Sequence, residues 1–467
     1  MDKSELIRLV LEVSEKKYET QYLEVKAANV DCPKKLYDTL SSFSNQDNGG
    51  IILFGVDESN DFNIAGVYNA HDLQKHVAEQ CEQMEPICRP LFTVAEINGK
   101  TVVSAEVPAI DFAERPAFYK GKGVVKGSYI RIGDNDNPMT SYEIYKYEAY
   151  RKQARDDLRV IKSISADRLN EKRVKEFIEL AKTEKANLSN VDDKEVMKLL
   201  GITLENKVTL TGLLLFNDYP QSIFPQFSIT AVVVPGTQMG DTGYSGARFL
   251  DNKRFDGSLQ LILEEAEKFI IRNMRNHTII NDEGKRRDRY EYPVRAIREI
   301  LLNAVMHRDY STYSEGIPVS VVMFQDRIEI ANPGGLYGRT NISDLGKKRV
   351  EIRNITLVNV LEIMRIAENR HSGIPTIRSE MDSNDLPAPI FEDNRGEFKV
   401  TLKNRYSNIY ELCGKPRTRA EIAEFLKVTP DYAMANWISP QIAEGKIAMT
   451  IPDKPKSKLQ KYFTSII

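Results

Sequence analysis

Arg298-Glu299-Ile300-Leu301-Leu302-Asn303-Ala304-Val305-Met306-His307-Arg308-Asp309-Tyr310 sets a carboxylate and a carboxamide four residues apart in an otherwise apolar run. Pro293 can open a helix just before it, where no backbone donor is needed. Apolar residues at 297, 300, 301, 304 and 305 recur at helical spacing and predict a buried face. Glu299 and Asn303, at i and i+4, then project from one side. Polar groups beside a buried face are costly without partners, and this pair suits a magnesium ion and a nucleotide phosphate. The plainer reading bonds Glu299 to Arg295 or Arg308 and lets Asn303 satisfy backbone groups.

Downstream, 319–324 and 327–331 predict two strands turned at Gln325-Asp326, running into Asn332-Pro333-Gly334-Gly335, where glycine permits close backbone approach to a ligand. Upstream, 209–216 and 227–234 read as buried strands and 257–274 as a long amphipathic helix. The charged stretch 282–289 reads as an exposed loop. The segment from Ser141 to about Lys198 is charge-rich and helical, most simply a solvated connector. Residues 1–150 alternate strand and helix, with Leu23 and Val25 on one face of a period-two strand, and a hairpin turning at Asn98-Gly99-Lys100. After 405, helix, turn, helix and a strand-like wing suit a winged helix-turn-helix. The expected domains are 1–150, a helical connector at 151–200, 201–404 and 405–467, an α+β multidomain chain.

At 467 residues the chain has room for several domains at about 100–200 residues each. Its net charge of −2 gives no global footprint for nucleic acid, so such binding must rest on local basic patches. The start Met1-Asp2-Lys3-Ser4-Glu5 has no signal-like pattern, and no apolar stretch approaches the roughly 20 residues that span a bilayer, so a cytoplasmic protein with no membrane partner is expected. Four cysteines without a C-x-x-C pair and five histidines without ligand spacing support neither a disulfide framework nor zinc.

Three segments resemble one group of proteins, with Arg353-Asn354 and Pro452-Asp453-Lys454-Pro455 to Gln460-Lys461-Tyr462 as further landmarks. Glu19-x4-Glu24-Val25-Lys26, Phe43-Ser44-Asn45, Gly49-Gly50 and Phe54-Gly55-Val56-Asp57 resemble the Schlafen AlbA-type domain. Residues 298–310 with Asp326 to Gly335 resemble the RecG-related C-terminal region, a divergent relative of the gyrase, Hsp90 and histidine-kinase (GHKL) ATPases. The resemblance implies an N-terminal Schlafen AlbA-like α/β domain, a GHKL-like α/β sandwich and a DNA-binding transcriptional regulator. It also implies roles: Glu299 as the base that activates water, Asn303 as magnesium ligand, and Asn332, Gly334, Gly335 and Gly373 around the nucleotide. Where such ATPases carry an aspartate that accepts the adenine amino group, this chain has Asn332, whose neutral amide offers an acceptor and a donor. The helicase label often given to such proteins is not supported by the residues, because no G-x-x-x-x-G-K-[ST] phosphate loop occurs.

The same resemblance raises a second reading, a metal-dependent ribonuclease with a defensive role, with Glu19, Glu24 and Asp57 holding magnesium or manganese beside Lys26. The plainer reading pairs Glu24 with Lys26 on a strand face. Candidate phosphate contacts are Lys26, Arg115, Lys120, Lys126 and Arg131, near Tyr119 and Tyr129, and in the wing Lys454, Lys456 and Lys458. Trp437 is expected in the core. ATP with magnesium, a nucleic-acid partner with DNA ahead of RNA, and a homo-oligomer complete the leading expectation; a non-catalytic scaffold is the third.

Overall fold

The computed structural model describes residues 1–242, 246–280, 286–367, 372–394, 396–405, 407–426 and 428–465. The chain divides into two units, Met1–Ala154 and Arg155–Ile467.

In the first unit, Leu23–Lys26 runs parallel to Gly50–Phe54, which pairs antiparallel with Lys100–Val107, itself paired with Leu91–Ile97. Successive side chains point to opposite faces of a strand. Ile52 and Phe54 therefore pack with Leu40 and Phe43 of the Tyr37–Asn45 helix. On the other face Leu23, Val25 and Leu53 pack with Leu6, Val10 and Val13 of the Lys3–Lys16 helix. Asn98 and Gly99, both at positive φ, make the expected hairpin turn.

The second unit is built on a six-stranded sheet in the order Asp251–Phe255, Ile229–Val233, Val319–Met323, Arg327–Pro333, Glu397–Lys403, Ile390–Asp393. The helix expected around Glu299 spans Val294–Met306 and buries Ile297, Ile300, Leu301, Ala304 and Val305 in the largest core, together with Ile262, Ala266 and Phe269 of the Leu259–Asn273 helix. The second helix on the pocket side, Gly373–Ser383, adds Ile377 and Met381.

Three expectations change. The apolar run 209–216 is a helix, Leu210–Phe216, capped by Thr209 Oγ1 on the Gly212 N–H at 3.1 Å; a fully buried run of that length carries no period by which to tell strand from helix. Part of the expected exposed loop is a strand, Arg286–Tyr290, paired with Asn276–Ile280, while 282–285 lie outside the described residues. The supposed connector contains a strand, Val160–Ser165, and sends Ile161, Phe177, Ile178 and Ala181 into the larger core.

The C-terminal residues form their own cluster around Ile409, Ile422, Leu426, Trp437 and Tyr462, with a hairpin of Ile447–Met449 and Tyr462–Thr464. The expected second helix is broken into Pro430–Ala433, a π turn at Met434–Ile438 and Ser439–Ala443. Pro440 lacks the N–H that a continuous α-helix would use there. Among the described residues no helix is long and apolar enough to cross a membrane.

Candidate nucleotide pocket and carboxylate cluster

Glu299, Asn303, Asn332, Gly334, Gly335 and Gly373 all line one pocket of about 140 Å³. The helix Val294–Met306 presents Glu299 and Asn303 one turn apart, and Asn303 Nδ2 donates to Glu299 Oε1 at 3.0 Å. Gly373, the first residue of the opposing helix, packs so close that a β-carbon there would lie 2.2 Å from Glu299 Oε1 and 3.0 Å from Asn303 Nδ2. The arginines of the plainer reading are engaged elsewhere: Arg295 with Glu380 at 3.4 Å, and buried Arg308 with the Ser314 and Ile317 carbonyls at 3.0 and 2.5 Å.

The pocket floor is the sheet. Ile330 and Asn332 point to one face of their strand, and their register partners Val400 and Phe398 line the same pocket. Asn332 is only 5% exposed, and it lines the pocket beside these apolar residues.

Both glycines after Asn332 earn their place differently from the expected approach to a ligand. Gly334, at φ +96°, leaves room for Arg353 Nη1 and Asp309 Cβ, which a side chain would meet at 2.1 and 2.5 Å. At Gly335 the added β-carbon would meet Asp393 Oδ1 at 2.2 Å. Sequence reading missed this rim: Arg353 donates to the Gly335 carbonyl at 3.0 Å and sits 5.4 Å from the Tyr337 ring centre, while Lys348 pairs with Asp344 at 2.9 Å. Adjacent Asn354 donates to the Met306 and Arg308 carbonyls at 2.8 and 2.7 Å and so closes the helix that carries Glu299. The dipeptide Arg353-Asn354 is a landmark of the resemblance, but it gives neither residue a role at the rim. His307-Arg308-Asp309 is the turn at that helix end, with the Asp309 N–H donating to Pro333 O at 2.8 Å.

In the first unit, Glu19 and Glu24 converge on a buried arginine. Arg131 reaches Glu24 at 2.7 Å, Asp136 at 3.1 Å and Glu19 at 3.3 Å, and Lys26 pairs with the other oxygen of Glu24. Glu19 also accepts the Val25 N–H at 2.7 Å. Burial, and then the charge of Glu24, push its carboxyl up to about 7. Asp57 is elsewhere, capping a short turn through the Ser59 N–H at 3.1 Å and hydroxyl at 2.7 Å. Among the described residues no group of three or more acidic, histidine or cysteine side chains is arranged to hold a metal ion.

The candidate phosphate contacts divide. Arg115 and Arg131 are buried, Arg115 on Asp47 at 2.8 Å, and Lys26 is engaged by Glu24; each serves the fold rather than a free surface. Lys120 and Lys126 are exposed. Beside them, Tyr37 stacks on Tyr119 at 4.5 Å, and Lys122 lies 4.5 Å from the Tyr37 ring centre and 3.1 Å from the Tyr129 hydroxyl. Lys454, Lys456 and Lys458 are exposed on a loop tied at its base by Thr450, whose hydroxyl accepts the Lys461 N–H at 3.0 Å. Trp437 is buried, with Arg275 5.1 Å from its ring centre.

Residues 19–140 match the family model "Schlafen, AlbA_2", and 316–402 match "Putative ATP-dependent DNA helicase recG C-terminal". Residues 147–230 match a domain of unknown function (DUF8451), and 411–464 match "Filamentation induced by cAMP protein Fic-like, C-terminal domain". The last falls on the region expected as a winged helix-turn-helix. Among solved structures, the DIP2311 protein from Corynebacterium diphtheriae is 16% identical with a TM-score of 0.41, covering 94% of this chain and 93% of that one. The N-terminal domain of a "Putative ATP-dependent DNA Helicase RecG-related Protein" from Nitrosomonas europaea is 26% identical with a TM-score of 0.24, covering 30% of this chain and 94% of that one. No curated protein matches this chain.

Proposed function

From a chain that carries a Schlafen AlbA_2 domain and a RecG-related ATPase-like C-terminal region, we propose a cytoplasmic, nucleic-acid-binding transcriptional regulator that takes up Mg-ATP in the pocket under the Val294–Met306 helix. One observation carries the reading: Asn332, a low-exposure polar residue of the sheet, lines the same pocket as the hydrogen-bonded Glu299–Asn303 pair. The residues suit the group. Asn303 would hold magnesium, whose charge neutralises phosphate oxygens; Glu299 is placed beside it to orient water, and Asn332 supplies polar recognition at the apolar floor.

Nucleic acid, with DNA as the preferred target, is assigned to the exposed lysines, Lys120 and Lys126 in the first unit and Lys454, Lys456 and Lys458 in the C-terminal loop, which we read as the wing of a winged helix. Nucleotide occupancy is proposed to alter DNA affinity or self-association into a homo-oligomer. A motor role has no support in a sequence without a P-loop. The nuclease alternative is weaker, because Glu19 and Glu24 are compensated by Arg131 and Lys26.

Calorimetry of the full chain with Mg-ATP, with Asn303→Ala in parallel, tests the reading. Binding by the wild type, weakened at least about tenfold in the variant, supports it. No heat at millimolar nucleotide sinks it.

A further inference from the structure

Asn332 stands where a purine's 6-substituent would be read, if the nucleotide pocket proposed above is correct. Its strand neighbour Ile330, with Phe398 and Val400 on the paired strand, makes an apolar floor that fits a flat base, and the amide is the buried polar group among them. A carboxylate at this position could only accept a hydrogen bond, and would therefore select the amino group of adenine. A carboxamide carries an acceptor and a donor on one planar group. Asn332 lines the pocket, and a half-turn about its terminal torsion exchanges oxygen for nitrogen at the same place.

We propose that Asn332 makes this a pocket for purine nucleotides whichever group stands at carbon 6: the amide oxygen accepts from a 6-amino group, and the amide nitrogen donates to a 6-oxo group. The pocket then does not separate adenine from hypoxanthine nucleotides at carbon 6; the two also differ at N1, where hypoxanthine carries a proton. An acceptor-only side chain held against carbon 6 would restore the separation, because it would face a 6-carbonyl acceptor to acceptor.

The test is calorimetry of the full chain with Mg-ATP and Mg-ITP, wild type against Asn332→Asp. The wild type should bind the two with dissociation constants within about tenfold of each other, and N332D should keep ATP while losing ITP by about a hundredfold or more, the scale on which a buried polar mismatch discriminates. A wild type that prefers ATP by more than about a hundredfold overturns the inference while leaving the nucleotide pocket standing. So does a folded N332D whose ATP-to-ITP ratio is unchanged. If N332D melts without a cooperative transition, the wild-type ratio decides alone. Binding of neither nucleotide overturns both the inference and the reading on which it rests.

Discussion

Gly373 and Glu299 are packed so closely that the smallest side chain at 373 would lie 2.2 Å from the glutamate Oε1. The atom it would meet is the end of a flexible side chain, not backbone, so Glu299 can swing aside. Alanine also favours a helix over glycine by about 1 kcal/mol. Gly373→Ala should therefore shift the melting temperature little and yet break the Glu299–Asn303 hydrogen bond, lowering Mg-ATP affinity. A large fall in melting temperature with unchanged binding would show that the contact serves packing alone.

Asn354 donates both hydrogens of one buried amide nitrogen to two carbonyls, that of Met306, which the helix end leaves without an intrahelical partner, and that of Arg308 just beyond it. Asn354→Ala strands two buried acceptors at about 1–3 kcal/mol, and Asn354→Asp should cost more, since it points an acceptor at acceptors. Urea denaturation of the second unit reads the difference. Nucleotide binding should fall in step, because the same helix carries Glu299 and Asn303.

How much of this the residues announce follows from which interactions are local. The 3.6-residue period around Glu299 and the alternation before Asn332 are local, and the helix Val294–Met306 and strands Val319–Met323 and Arg327–Pro333 appear where the pattern puts them. The run Leu210–Phe216 is buried on every side, so period could not separate helix from strand. Charge misled where direction mattered: Arg115 and Arg131 read as surface cations, but each turns inward to a carboxylate distant in sequence. Arg353 and Lys348 reach the pocket rim through a fold no spacing encodes.

Arg131 pairs with three carboxylates at once, Glu24, Asp136 and Glu19, with its side chain fully buried. Arg131→Met removes the charge but keeps much of the bulk, leaving Lys26, on the other oxygen of Glu24, as the cation of a low-exposure cluster of three acidic groups. Breaking a buried ion pair from one side costs about 3–5 kcal/mol, so the first unit should unfold well before the second in a calorimetric scan. Arg131→Lys should not restore it, because a point charge cannot span three carboxylates as a planar fork does. A Met variant as stable as the wild type would mean that the cluster contributes nothing to the fold.

Glu19 gives the same cluster a pH dependence whose sign can be worked out. Burial and the neighbouring Glu24 raise its folded carboxyl from 4.5 to about 7, so between those values the unfolded chain has released a proton that the folded chain still holds. Stability falls with rising pH wherever the folded state binds more protons. The contribution of Glu19 is thus most favourable below pH 4.5 and is lost as pH climbs through about 7. Glu19→Gln keeps an acceptor for the Val25 N–H and for Arg131 but removes the titration. Its melting temperature relative to wild type should therefore rise between pH 5 and pH 8; a difference that stays flat or falls across that range would mean that Glu19 is ionised throughout, held so by Arg131.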